Sequence, residues 1–511
     1  MDGISPHASL LASEEMDATS LDPSDWAAME ALGHQMLSDI FGELRGLRDG
    51  PVWQPMPPDI RAAWHEALPR EPMPAAAVYE TYRRQIAPYA TGNRHPRFMG
   101  WVHGGGCVIG VLAEMLAAGL NANLGGRDHA PVACEQQVIR WAAEMLGFPT
   151  GASGLLVTGT SMANLIAVLV ARRAALGPEV RLRGPHGHHL TAYAASSAHG
   201  CVARALDMAG IGTDALRLIP CTDDGSIDLA ALDAAIAVDI IAGQRPFLVI
   251  GTAGSVDTGA IDDLEALAWL CAARGVWFHV DAAYGAIAML SDALRRKLQG
   301  IERADSVAFD FHKWAQVPYD AGCIVVRDGA AHQAAFARPE TYLRREARGL
   351  AAGTPWPCDF GPDLSRGFRA LKVWMTLQTY GGDAIGRVAE RCCALAAHLA
   401  SLVDAQPGLE RVAPVTLNIV CFRVVGLDCA GQADIAADLQ ESGIAVPSTT
   451  VIDGRVVLRA AIVNHRTKPA DVAILVAAVL TAAARRLHNH LNSPAMPHMT
   501  PSHARETPGA L

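Results

Sequence analysis

Lysine is scarce in this chain of 511 residues. Of its 42 basic residues only Lys297, Lys313, Lys372 and Lys468 are lysines, which leaves 38 arginines. Positive charge is also in the minority. The 52 Asp and Glu bring the formal net charge to −10, which argues against a nucleic-acid scaffold or a basic membrane-surface protein. The eleven cysteines form no C-x-x-C pair, and reduced thiols of a cytoplasmic protein are expected rather than a disulfide framework. The N-terminus MDGISPHASLLASEEMDATSLDP carries acids where a signal peptide needs a basic start and an apolar run. No stretch approaches the roughly 18 uninterrupted apolar residues of a membrane span. An internal repeat is also lacking.

What is present suits a folded enzyme. Half the residues are hydrophobic and 18% are charged, too apolar for a disordered chain and long enough for at least two structural units. Residues 1–22 and 492–511 are polar, unpatterned ends. Between Trp26 and Leu47 the spacing of Met29, Leu32, Met36, Leu37, Ile40, Phe41, Leu44 and Leu47 is helical, and a second helical piece covers Ala75 to Ile86. These lie in an N-terminal helical segment, 23–90. Over 91–365 short apolar runs alternate with helical ones: GLLVTG, LTAYAAS, FLVIGTAG, VWFHVDAAY, SVAFD and GCIVVR. That alternation predicts a mostly parallel sheet covered on both faces. A smaller α+β unit is expected over 366–491, with strands in NIVCFRVV and RVVLRAAIV.

Three stretches carry chemistry. DSVAFDFHKWAQVPYDAGC (305–323) places Lys313 just after a strand, between His312 and Trp314. A confined strand-end lysine can lose its proton and form an imine with an aldehyde cofactor, although a solvated charge is the ordinary fate of a lysine. HVDAAYGA puts Asp281 at the end of an apolar strand, which is costly unless the carboxylate is paired. A pyridinium nitrogen would pair it, and the small Ala283 would let a flat ring lie alongside. In TGTSMAN, Thr160 and Ser161 join a strand to a helix, as a phosphate seat or a simple N-cap.

Together, HVDAAY, the D-x-HKW-x-x-VPYD-x-G run thirty residues later and the upstream TGTS turn closely resemble the group II pyridoxal-phosphate-dependent amino-acid decarboxylases, in the aromatic-L-amino-acid decarboxylase-like branch. The likeness runs from LGHQMLSDIF to LRAAIVNHRT. It implies fold type I: a large α/β domain with a mostly parallel seven-stranded sheet that binds pyridoxal 5'-phosphate, and a smaller C-terminal α+β domain. It also implies an amino-acid substrate and a homodimer with active sites near the interface. Lys313 matches the Schiff-base lysine and Asp281 the partner of the ring nitrogen. His199, in SSAHGCVARA, matches the histidine stacked on the ring. Thr160 and Ser161 match the phosphate turn, and His312 the histidine beside the lysine. Tyr342 matches a loop tyrosine that helps protonate the substrate carbon, within a segment, 338–354, long enough to act as a lid.

Two positions depart from the family pattern. Ser255–Val256 replaces a pair of threonines, so a cofactor contact is expected from Ser255. Asp310 stands where some relatives have Asn; a carboxylate repels phosphate, so Asp310 is expected to turn toward a basic or N–H partner. Trp101, Val102 and His103 are expected to line the substrate pocket. Val102 and Gly104 sit poorly with an aromatic substrate, and His103 fits either a polar substrate end or an ordinary loop histidine. GGGCVIG lacks the strand that a dinucleotide loop needs, and no metal site is expected at the His186, His188, His189 cluster. Arg459 reads as either a carboxylate grip or a structural ion pair, and Arg366 and Arg369 as surface charges. Decarboxylation to an amine is the leading expectation because His199 and Tyr342 are both present. Oxidative decarboxylation to an aldehyde is the alternative, and a non-catalytic cofactor-binding protein the third.

Overall fold

Strands β1 (Ser153–Val157), β2 (Leu190–Ala195), β3 (Leu216–Ile219), β4 (Arg245–Thr252), β5 (Trp277–Asp281), β6 (Ser306–Asp310) and β7 (Gly322–Val326) form one sheet in the order β1-β7-β6-β5-β4-β2-β3. They belong to a computed structural model that describes residues 20–338, 344–353 and 355–492. Only β7 runs against the others, since it is antiparallel to both β6 and β1. The apolar runs are continuous because helices cover both faces. In β7, Cys323 and Val325 join the largest core cluster, whereas Ile324 and Val326 pack under Ile166, Ala167 and Val170 of the Thr160–Leu176 helix. The carboxyl ends of β1, β4, β5 and β6 therefore share one edge, where parallel sheets place their sites.

A second, antiparallel sheet follows in the order β10-β11-β9-β8, from β8 (Leu409–Arg411), β9 (Ile419–Val424), β10 (Ser448–Ile452) and β11 (Arg455–Ala461). The backbone divides into two compact units at Gly92–Asn93, and both sheets lie in the second. In the first unit, the Trp26–Arg45 helix starts at Asp25, whose carboxylate accepts the Ala28 N–H. Tyr79 donates to Asp39 at 2.8 Å. The helix buries none of its twenty residues. Among the described residues, no helix is long and apolar enough to cross a membrane.

Arg366 is not a surface charge. It is 3% exposed and pairs with Glu135, also 3% exposed. The pair seals the outer edge of β1: Glu135 accepts the Leu156 N–H at 3.1 Å, and Arg366 donates to the Leu156 carbonyl at 2.6 Å and the Leu124 carbonyl at 3.0 Å. An edge strand that would otherwise expose peptide groups is thus closed by side chains. Arg369 pairs with Asp320 at 2.8 Å.

Arg366→Leu leaves the Glu135 carboxylate buried and unpaired, so stability should fall by about 3–5 kcal/mol, read as a lower denaturant midpoint. His332 supplies a pH test. Fully buried, with Nδ1 2.9 Å from Ser153 Oγ, it is pushed down by burial from 6.5 to about 4. Below 6.5 the unfolded chain takes up a proton that the folded chain refuses, so stability is lost as the pH falls toward 4. His332→Leu should remove about 1.4 kcal/mol per pH unit of that dependence, measured by unfolding between these pH values.

Candidate active site

The shared strand edge opens into a cavity of about 400 Å³. Its lining includes Lys313, Asp281, His199, Thr160, Ser161, Ala283 and His312. A hollow of about 430 Å³ elsewhere, lined by Trp141, Met145, Met289, Leu290 and Leu377 among others, has no lysine and no buried carboxylate.

Each polar group is delivered by a strand end or a helix start. Asp310 ends β6 and does turn to basic and N–H partners. Its Oδ1 accepts the Thr160 N–H at 2.8 Å, and its Oδ2 lies 3.0 Å from Lys313 Nζ and 3.6 Å from His312 Nε2. A carboxylate at the first N–H of the Thr160–Leu176 helix also sits favourably in the helix dipole. His312 accepts the Ala321 N–H on Nδ1 at 3.0 Å, which places its proton on Nε2, toward Asp310. Burial lowers its pKa while Asp310 works the other way. Glycine at 159 and 322 lets the backbones meet: a Cβ on Gly322 would lie 2.4 Å from Gly159 Cα.

Asp281 ends β5 and is 6% exposed. Burial raises its pKa; hydrogen bonding from Asn164, and the charges of Lys313 and His199, oppose that rise. Asn164 donates to Oδ2 at 3.0 Å and the Ala283 N–H to Oδ1 at 3.1 Å. Cys201 Sγ lies 3.8 Å from Oδ2, its thiol pushed up to about 12 by burial. His199 accepts the Cys201 N–H on Nδ1 at 3.2 Å, which leaves Nε2 protonated.

The lysine loop is held from behind. A Cβ on Gly104 would lie 2.1 Å from the His312 carbonyl and 2.5 Å from that of Lys313. GGGCVIG is therefore a close-approach segment entering the Val108–Leu120 helix, with no βαβ unit around it. Gln316 donates to the carbonyls of Trp314 (3.0 Å) and Val463 (2.8 Å), tying the loop to the end of the second sheet. At the mouth, His103 stacks on Phe98 and Trp101 and meets Tyr319 edge-on. Trp101, Val102 and His103 all line the cavity, and burial with the nearby Lys313 charge lowers the His103 pKa.

Not every expected residue arrives. Ser255 is buried away from the lining; its Oγ accepts the Ala260 N–H at 3.1 Å and meets Thr258 Oγ1 at 3.1 Å, and Val256 faces the cavity instead. Tyr342 lies outside the described residues. Arg459 is 3% exposed and spends Nε on the Asp257 carbonyl and Nη1 on Ser448 Oγ, each at 3.1 Å. His186, His188 and His189 are exposed. Cys201, Tyr319 and Asn164 escaped the sequence reading. For Asn164 there was a signal: a polar residue one helical turn after Thr160, inside an apolar run.

Known proteins similar to this chain identify its family. The pyridoxal-dependent decarboxylase conserved domain matches residues 57–425. An aromatic-L-amino-acid decarboxylase of Bacillus atrophaeus is 33% identical, over 86% of this chain and 92% of its own. A phenylacetaldehyde synthase of Arabidopsis thaliana is 29% identical, over 86% and 93%. The solved structure of Oryza sativa TDC with PLP and tryptamine superposes with a TM-score of 0.84 at 25% identity, covering 91% of this chain and 100% of that one. The chain belongs to the pyridoxal-dependent decarboxylase family and is a pyridoxal-phosphate-dependent carboxy-lyase of fold type I that acts on an amino acid.

Proposed function

We propose that the cavity holds pyridoxal phosphate between Lys313 and Asp281, and that the enzyme removes the α-carboxylate of an L-amino acid as CO2 and releases the amine. The observation that carries this reading is the convergence of one amine, one buried carboxylate and one helix start on a single cavity. The residues fit the cofactor. Thr160 Oγ1 is buried and has no hydrogen-bond partner among the described residues, at a helix start suited to a phosphate. Asp281 is a buried anion whose cost falls if a cationic ring nitrogen meets it. The methyl group of Ala283 leaves room for a flat ring.

When bound, the cofactor supplies the electron sink for the departing carboxylate. The chain does the rest. Lys313 offers the amine that holds the cofactor's aldehyde, with Asp310 3.0 Å away to keep that amine in place. Asp281 keeps the ring nitrogen protonated. His199, on the cavity wall with Nε2 protonated, is placed to return a proton to the carbon that lost CO2, with Tyr342 as the second donor. His312, held by Ala321 and Asp310, braces the phosphate side. Trp101, Val102, His103 and Tyr319 limit water entry and meet the substrate side chain.

A homodimer accounts for two unpartnered apolar faces. The Trp26–Arg45 helix leaves Trp26 and Met29 exposed, and the Val108–Leu120 helix leaves Met115, Leu116 and Leu120 exposed. Faces of that kind are covered in assemblies.

The enzyme as purified with its cofactor should show a visible absorption band that Lys313→Ala lacks; an unchanged spectrum in the variant would sink the role given to that lysine. The presence of His199 favours the amine over the aldehyde product of synthase-like relatives. A panel of aromatic, acidic and basic L-amino acids should yield CO2 and amine in equal amounts. Hydrogen peroxide and aldehyde in place of the amine would establish oxidative chemistry.

A further inference from the structure

Behind Asp281 lies a row of buried polar side chains that the mechanism does not use. Trp277, His279 and Asp281 are alternate residues of β5 and project from one face. Asn164 reaches that face from the Thr160–Leu176 helix, and Ser306 from β6, where it pairs with His279. His279, Asn164 and Ser306 are each at most 2% exposed.

The hydrogen-bond directions along the row are set from the Asp281 end, where the acceptor-only carboxylate takes the Asn164 N–H and leaves Asn164 Oδ1 to accept from His279 Nε2. Trp277 Nε1–H has no acceptor capacity, so it donates to Ser306 Oγ at 2.9 Å. His279 Nδ1 lies 2.9 Å from Ser306 Oγ and 3.1 Å from the Ser306 carbonyl; with the ring proton on Nε2, the hydroxyl is the partner that can donate to it. His279 Nε2–H donates to Asn164 Oδ1 at 2.7 Å. Asn164 Nδ2–H donates to Asp281 Oδ2 at 3.0 Å. Burial pushes His279 down to about 3, which keeps the ring neutral, and the Asn164 oxygen 2.7 Å from Nε2 selects the tautomer with the proton there. The reverse orientation of the Asn164 amide would turn its oxygen onto the Asp281 carboxylate. It would also leave the His279 N–H facing an NH₂ group. The row is therefore polarised one way, with each donor reinforcing the next.

We infer that Asn164 and His279, backed by Ser306 and Trp277, are positioning residues that hold Asp281 as an oriented, ionised carboxylate for the ring nitrogen of pyridoxal phosphate. This rests on the role proposed for Asp281. Neither residue touches the reacting atoms. They act through Oδ2, so that the other carboxylate oxygen, which among the described residues accepts one backbone N–H at 3.1 Å, keeps its direction and charge.

The test uses affinity rather than turnover. Apo protein is titrated, by its own fluorescence, with pyridoxal phosphate and with 1-deazapyridoxal phosphate, in which a C–H replaces the ring nitrogen. The wild type should prefer the natural cofactor. Asn164→Leu should weaken pyridoxal phosphate binding by about tenfold or more, the scale of one lost hydrogen bond to a charged group. Its affinity for the analogue should change by less than about twofold. His279→Phe, which lets the Asn164 amide turn, should shift the preference the same way by a smaller factor, and His279→Gln, which retains an N–H donor, should recover part of it. Equal weakening toward both ligands would mean a merely structural role and overturn the inference. If Asn164→Leu does not fold, as judged by circular dichroism, His279→Phe decides, and an unchanged preference there overturns it. Asp281→Asn separates the two levels. If that variant keeps the wild-type preference, the reading of Asp281 itself fails. If it alone loses the preference, only the row behind it is wrong.

Discussion

A carboxylate is buried at the end of the central strand, and most of the site follows from how this structure tolerates it. An unpaired carboxylate out of water is protonated or expelled. Asp281 is instead met by donors on its inner side, Asn164 and the Ala283 backbone, and faces the cavity on the other. The alternation of β5 sets a polar row beneath it, and the sheet order puts β6 alongside to complete that row. Where the strands end thus determines where the chemistry stands.

One helix serves two carboxylates. The first N–H of the Thr160–Leu176 helix goes to Asp310 and the side chain one turn later goes to Asp281. Asp310 in turn holds Lys313. The separation between the Lys313 amine and the Asp281 carboxylate is therefore set by a single turn of helix packed on the sheet, a stiffer ruler than any loop. The lysine loop gains its remaining rigidity from Gly104, which presses on two of its carbonyls, and from Gln316, which ties it to the second sheet.

Much of this was legible in the sequence. The buried apolar strands, β4 to β7, β9 and β11, declared themselves because burial on both faces needs continuous apolar runs. The strands β3, β8 and β10 did not, because edge strands carry mixed residues such as STTVI. Site residues tied to a motif arrived in the cavity, whereas those read by position did not all do so. Ser255 had a hydroxyl to offer, but its own turn consumed it. Arg366 looked like a helix-start surface charge because the edge of β1 that it seals, and the Glu135 that meets it, lie more than 200 residues away in sequence. Asn164 stood out in the sequence only as a polar residue in an apolar helix; the carboxylate it serves is visible once β5 lies beneath it.

The lysine shortage now acquires a chemical meaning. Pyridoxal phosphate is an aldehyde and condenses with any accessible amine. Lys372 is 3% exposed and paired with Glu114, so its amine is withdrawn from solvent. Only Lys297 and Lys468 stand exposed outside the cavity. The arginines that carry the remaining positive charge form no such imine, so the surface stays charged without competing for the cofactor. Incubated with an excess of it, this chain offers two exposed lysine side chains, Lys297 and Lys468, to stray adducts.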